Sequence, residues 1–242
     1  VEKRLFLKEP GNVDRIQSTD IAQGALGDCF FLSALGDIAL KDPSFISHDL
    51  ISHDGHGKEI VHLYNQLGGI PILNDNWYGE YISHFYEDSI AVTNKFPIDA
   101  VNKTNEKDFV NGVKEIWPEV VEKAYAHDNL GYANLNNGGY PQNAMETLTG
   151  HQAYIESPSD VTLAQLLSFE HSSTAIASFD TPATGNLPYH LVDDHSYMFD
   201  GVVTVGGINY VHLRNPWDTR EPQLIPVSEI SHIFSDVTHG TV

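Results

Sequence analysis

A cysteine thiol, an imidazole and a side-chain amide can together attack a carbonyl, and this chain carries one cysteine, Cys29, in a place where a thiol could be activated. It stands in QGALGDCFFLSALGDIAL, residues 23–40. Gly24 and Gly27 give a tight, irregular approach, and Asp28 is a fair N-cap for a helix that begins at the cysteine. A thiol in that first turn faces unpaired N–H groups and the positive end of the helix dipole, which favours thiolate and makes a nucleophile. Gln23, before the loop, can bring a side-chain amide back toward the sulfur as an oxyanion donor. A lone cysteine is otherwise an inert buried residue; the glutamine, the glycine-rich turn and the helix start together argue for chemistry.

A thiol nucleophile needs a base that takes its proton and later protonates the leaving amine, and a group that holds that base in one orientation. Thirteen histidines are spread along the chain, so a histidine somewhere downstream carries no information. His195 and Asn215 carry more. They bracket HSYMFDGVVTVGGINYVHLRNPW, residues 195–217, two β-rich runs around Gly206-Gly207 that read as a hairpin. The ends of a hairpin meet, with opposed residues about 5 Å apart. Pairing centred on Val205 puts His195 opposite Asn215; pairing centred on Gly206-Gly207 puts it opposite position 218. Either register brings the two into one neighbourhood, where the Asn215 amide oxygen can accept the second ring N–H and Trp217 can shield that bond from water.

Around these residues the chain must build a body. Its 242 residues suit one large domain or two small subdomains, and 41% hydrophobic with 10% aromatic content is globular. No apolar run approaches the ~18 residues of a membrane span, and no basic, apolar leader opens the sequence. The chain opens at Val1, as an excised domain or processed piece would, and the compartment stays open. Thirty-three acidic against thirteen basic residues, a net charge of −20, argue against nucleic acid or anionic lipid as partner and favour cationic stretches of a protein substrate. One cysteine excludes an internal disulfide framework.

Along the chain, Lys58–Leu67 and Ile70–Leu73 read as strands around a Gly68-Gly69 turn, and Ile90–Pro97 as a short strand running into a turn. His48, His53 and His56 match no zinc spacing and read as a solvated loop. The aromatic-rich stretch from Asn74 to Asp88, with Trp77, Tyr78, Tyr81, Phe85 and Tyr86, lines a site or packs ordinarily. Asp108–Ala126 reads as a helix, with Ile116, Val120, Val121 and Ala124 on one stripe and Pro118 in its first turn. Gly138 and Gly139 let an extended peptide approach their backbone groups, or are a plain loop pair. Ser157–Asp160 is the best boundary between two halves. Beyond it, Asp160 would cap a helix from Val161 to Ser168, and Ser173–Phe179 reads as a strand.

Four of these stretches resemble the calpain family of cysteine peptidases, in the family's order. QGALGDCFFLSAL resembles the active-site segment Q-G-x-L-G-D-C-W-F-L, with Phe30 in place of Trp. IWPEVVEKAYA resembles the L-W-x-x-L-L-E-K-A-Y-A helix, and GYANLNNGGYPQNAMETLTG the glycine-bearing segment after it. HSY and LRNPW resemble H-A-Y and L-R-N-P-W-G, which carry the catalytic His and Asn. Asp194 and Asp218 stand where the family has glycine, and Asp194 should stabilise an imidazolium beside it.

The resemblance implies an α+β, papain-like core of two subdomains with the cleft between them. Residues 1–156 would be mainly helical, with Gln23, Cys29, Gly138 and Gly139; residues 157–242 would be mainly antiparallel β, with His195, Asn215 and Trp217. It implies a cysteine endopeptidase with catalytic Cys29, His195, Asn215 and Gln23, and with Gly138, Gly139, Asp194 and Trp217 binding a protein or peptide substrate. Calpain-like domains occur inside larger proteins, secreted bacterial ones among them, where self-processing is an option. The chemistry needs no cofactor, and no metal ligand is assigned. Calcium enters only through the resemblance: IAVTNKFP resembles V-x-V-D-D-x-L-P, near which animal calpains bind calcium, but Thr93 and Asn94 replace both aspartates. The acidic W-x-G-x-W-S-D loop that should precede LIPVSEISHIFSDV is absent. Two other readings share the residues: a thiol acyltransferase or transglutaminase, and a calpain-like module that binds without catalysis.

Overall fold

The computed structural model describes residues 2–8, 15–72, 80–96 and 109–242. Helix α1 (Cys29–Lys41) is its central rod, and every residue from Phe30 to Ala39 is buried. An apolar stripe would suffice for a surface helix; burial on all faces marks one enclosed by the rest of the fold. Lys41 ends it, and the Asp42 side chain accepts the Ser44 and Phe45 N–H groups to start the single turn α2 (Pro43–Phe45).

The first half surrounds α1 with small sheets and helices. Strand β1 (Glu2–Arg4) precedes the helix; β2 (Ile51–His53), β3 (Glu59–Ile72) and β4 (Glu80–Val92) follow as an antiparallel sheet. Gly68-Gly69 is not the turn expected from the sequence. The strand runs through it, and the pairing with β4 shifts register between Leu67 and Ile70, so the pair forms a bulge. Ile90–Val92 is therefore the end of a long strand; Trp77, Tyr78 and Pro97 lie outside the described residues.

The helix expected from residue 108 begins only at Trp117. Before it, β5 (Phe109–Val110) and β6 (Val113–Glu115) form a hairpin that β1 joins in parallel. The cause is Asn111-Gly112, whose φ angles of 54° and 81° make the left-handed two-residue turn that hairpins prefer. Helix α3 (Trp117–Asp128) then starts with Pro118 in its first turn, and buries Trp117, Val120, Val121, Ala124 and Tyr125. Tyr125 stacks on Phe31, ring centroids 4.3 Å apart, fastening α3 to α1. Helices α4 (Tyr132–Leu135) and α5 (Pro141–Thr149) flank the glycine pair, and Gly150 closes α5 in the left-handed conformation.

The second half is one antiparallel sheet of six strands. In chain order these are β7 (Tyr154–Glu156), β8 (Ala175–Asp180), β9 (Ser196–Val205), β10 (Ile208–Arg214), β11 (Ile225–Pro226) and β12 (Asp236–Thr241). Their spatial order is β11-β10-β9-β8-β12-β7. Helices α6 (Leu163–His171) and α7 (Ile230–Ile233) contribute Leu166, Phe169, Ile230 and Ile233 to its core. Thr162 rather than Asp160 caps α6, its hydroxyl accepting the Gln165 N–H. Strand β7 lies on the first-half side of the 156/157 division yet pairs with β12. Ile176 and Met198, from β8 and β9, reach across into the core around α1.

The β9–β10 hairpin turns at Gly206-Gly207, both at positive φ, with Val205 opposite Ile208. His195 and Asn215 are thus not directly opposed. Gly201 faces His212 and Phe199 faces Leu213, so Asp200 is an extra residue that pulls the base of the hairpin one position closer. The pattern is α+β throughout: helices gathered on α1, antiparallel strands opposite them.

Candidate active site

A cleft of about 530 Å³ opens between the N-terminus of α1 and the near ends of β8, β9 and β12. Cys29, His195, Gly138, Gly139 and Asp194 all line it. Cys29 is the first residue of α1 and half-buried. The loop before it is held by the Gly27 N–H, which donates to Asn136 Oδ1 at 2.9 Å. Gly139 lies so close to Phe30 that a Cβ there would meet the ring at 2.7 Å, which makes the glycine a packing requirement of the cleft floor.

His195 is 5% exposed. Its Nε2 lies 2.8 Å from Asn215 Oδ1. The Asn215 amide is oriented by its own partners: Nδ2 donates to the Arg220 carbonyl at 3.3 Å, and Oδ1 also accepts the Trp217 N–H at 3.0 Å. An amide oxygen only accepts, so the proton sits on Nε2 and the basic lone pair on Nδ1, the ring nitrogen left for the cleft. The Trp217 ring stands 4.6 Å from the imidazole and Tyr197 4.9 Å away at its edge. Asn215 and Trp217 sit behind the histidine and do not line the cleft.

Gln23 is also set back. Its Nε2 donates to the Leu26 carbonyl at 2.6 Å, and the same side chain hydrogen-bonds the Asp28 carboxyl. Its backbone N–H donates to Pro216 O at 2.7 Å, joining the loop before the nucleophile to the Asn215–Trp217 segment. Asp194 and Asp218 adopt φ of 50° and 52°; aspartate is among the few residues with side chains that tolerate this left-handed conformation.

The electrostatics depart from the dipole argument. Burial pushes the Cys29 thiol up to about 11, and the Asp180 and Asp28 carboxyls add to it; the N–H groups of Ser196 and Phe30 pull the other way. The N-cap Asp28 carboxyl is itself buried and raised. Burial also lowers the His195 imidazole against the pull of Asn215 and Asp194. Desolvation disfavours both charged forms, thiolate and imidazolium, and here outweighs the helix terminus.

Asp180, Ser196 and Asp236 line the cleft without having been singled out from the sequence. Asp180 accepts the Ser196 hydroxyl, and burial together with Asp236 pushes its carboxyl up to about 7. No motif marks it; only the pairing of Asp180 with Ser196 across β8 and β9 places it there. A carboxyl raised by folding binds its proton more tightly folded than unfolded. It therefore lowers stability as pH rises from the ordinary carboxylate range to about 7, and adds no further slope above that. Asp180→Asn should remove this component: urea midpoints at pH 5 and pH 8 should lie closer together in the variant than in the unaltered protein.

His48, His53 and His56 are exposed, and among the described residues no group of three or more His, Cys, Asp or Glu side chains converges to hold a metal ion. At Thr93–Lys95 the carbonyl oxygens already have cationic partners. Lys123 Nζ donates to Thr93 O, Thr93 Oγ1 and Lys95 O at 2.9, 2.8 and 2.9 Å, and Lys3 Nζ donates to Asn94 O at 2.9 Å.

Comparison with known proteins covers most of the chain. A family model described as calpain family cysteine protease matches residues 5–223. The calpain-1 catalytic subunit of Macaca fascicularis is 28% identical over 218 residues, 85% of this chain and 28% of that protein. The calpain-type cysteine protease DEK1 of Arabidopsis thaliana is 28% identical over 233 residues, 90% of this chain and 10% of its own length. The calpain-type cysteine protease ADL1 of Oryza sativa subsp. japonica is 29% identical over 215 residues, 84% of this chain and 9% of its own. The chain thus spans between about a tenth and about three-tenths of these relatives.

Proposed function

This chain belongs to the calpain family of cysteine proteases, and from that premise we propose that it hydrolyses peptide bonds through Cys29, His195, Asn215 and Gln23. Its α+β fold is the papain-like architecture of that family. The observation that carries the mechanism is the buried His195–Asn215 pair, whose ordered amide leaves Nδ1 as the base beside a cleft that Cys29 also lines.

Nδ1 takes the Cys29 proton as the sulfur attacks the scissile carbonyl carbon. The oxyanion accepts hydrogen bonds from the Cys29 backbone N–H and from the Gln23 side-chain amide, which turns to it from Asp28. The imidazolium, stabilised by Asn215 and by the Asp194 carboxylate, then gives its proton to the leaving amine. Water, deprotonated by the same nitrogen, attacks the thioester, releases the new carboxyl end and returns the proton to sulfur. A peptide laid along Gly138-Gly139 would find backbone groups there, with Asp194 beside the base. The net charge of −20 favours cationic substrate segments.

Calcium has no step in this scheme. The residues at Thr93–Lys95 do not fit it: the segment offers no carboxylate, and lysine ammonium groups hold its carbonyl oxygens. Cleavage within the parent polypeptide is compatible with the mechanism, since an endopeptidase accepts any extended segment that reaches the cleft.

The test is covalent labelling. A peptide bearing a thiol-directed epoxide should add one inhibitor mass at Cys29, at the same rate with EDTA as with calcium. A folded protein that stays unlabelled would favour the binding-module reading, and labelling only with calcium would overturn the metal-free scheme. Product masses separate the acyltransferase reading: hydrolysis yields new termini, transfer yields an amine adduct.

A further inference from the structure

The carboxyl group of Asp37 lies far from the cleft, on the helix that carries the nucleophile, and is 1% exposed. Its Oδ2 accepts the Ser178 hydroxyl of β8 at 2.6 Å, and its Oδ1 accepts the Phe199 backbone N–H of β9 at 3.0 Å. The pairing of these strands runs from Asp180–Ser196 to Ser178–Met198 and ends there. Where the strands part, the Asp37 side chain takes the next N–H of β9 in place of a strand carbonyl. Beside it, Gly36 sits so close to β9 that a Cβ would fall 2.3 Å from Met198 Sδ. The Gly36–Met198 contact and the two hydrogen bonds of Asp37 thus pin one point of α1 to one point of each strand.

The two arms leading from that point to the cleft match in length. Eight residues of helix separate Asp37 from Cys29, about 12 Å at 1.5 Å per residue. Phe199 lies four positions beyond His195, which immediately precedes β9, about 13 Å at 3.3 Å per residue of extended chain. Thiol and imidazole therefore arrive at the same level from a shared anchor, and a slide or rotation of α1 at Asp37 would displace the sulfur against the ring.

We propose that Asp37 is a positioning residue for catalysis: its two hydrogen bonds set the register of α1 against β8 and β9, and so the alignment of Cys29 with His195. The proposal rests on the peptidase reading above. Asparagine preserves the geometry, with Oδ1 accepting from Phe199 and Nδ2 donating to Ser178 Oγ; alanine removes both bonds. A misplacement of about 1 Å can cost about 100-fold in rate. Asp37→Ala should accordingly lower kcat by about 10- to 100-fold, with KM within about threefold and the rate of epoxide labelling falling in parallel with kcat. Asp37→Asn should restore kcat to within about threefold of the unaltered protein, an outcome that distinguishes geometry from charge.

Kinetics are to be normalised to folded protein by circular dichroism. Should Asp37→Ala not fold, Ser178→Ala, which removes one bond and leaves the other, should still lower kcat severalfold. An unchanged kcat in the folded alanine variants, or an equal loss in Asp37→Asn and Asp37→Ala, would overturn the proposal. An unaltered protein that neither cleaves nor labels would overturn the peptidase reading instead, so the two failures are separable.

Discussion

Replacing Cys29 with alanine leaves a folded protein whose peptide cleavage has fallen by about 10⁴-fold or more, to the background that binding and oxyanion donors alone supply. The size of the effect follows from the chemistry: without sulfur no thioester forms, and no other side chain lining the cleft is a comparable nucleophile at neutral pH. The fold should survive because Cys29 is half-buried at the first position of α1, where its side chain caps nothing. Removing it also removes a thiol that burial holds neutral, so stability should move by less than about 1 kcal/mol. The measurement is hydrolysis of a mixed peptide library by mass spectrometry, with urea unfolding as the control. Cleavage surviving in the alanine variant would locate the chemistry elsewhere.

His195→Ala is the second large effect. A thiol held near pH 11 is almost wholly protonated at neutrality, so without the imidazole it has no local route to thiolate. A positioned general base contributes about 10²- to 10⁴-fold, and the same nitrogen serves again as acid, which places the expected loss of kcat at the upper end. Epoxide labelling of Cys29 should slow with it at pH 7 and recover as pH rises toward the thiol's own titration. This rise separates loss of a base from loss of the fold, since an unfolded cysteine would label with an ordinary thiol profile. A variant that retains activity at pH 7 would remove His195 from the mechanism.

The structure explains why some of this was readable from the sequence and some was not. Cys29 with its glycine-rich approach, and His195 with Asn215 at the ends of one hairpin, are local patterns, and the fold brings the cysteine and histidine to one cleft. The register was open between two centres of the turn, and Asp200 adds a residue that no composition rule reveals. The thiolate expectation failed on burial: a helix terminus can be inferred from spacing, but desolvation by the opposite half of the molecule cannot. Asp180, Ser196 and Asp37 were invisible for a similar reason, since each acquires its surroundings only through strand pairing or through the crossing of α1 over β8 and β9. The late start of α3 was a different kind of miss. Asn111-Gly112 is a strong hairpin signal, and the apolar stripe that follows drew the helix across it. Gly68-Gly69 erred in the opposite sense, a glycine pair taken for a turn where the sheet tolerates it as a bulge.

Strand β7 sits at the outer margin of the large sheet, and its partner β12 comes from the far end of the chain. The connection that follows it, residues 157–160, is largely solvent-facing. A single nick there would not separate the molecule into two products. Both fragments would remain stitched through β7 and α1, and the break would show only after denaturation.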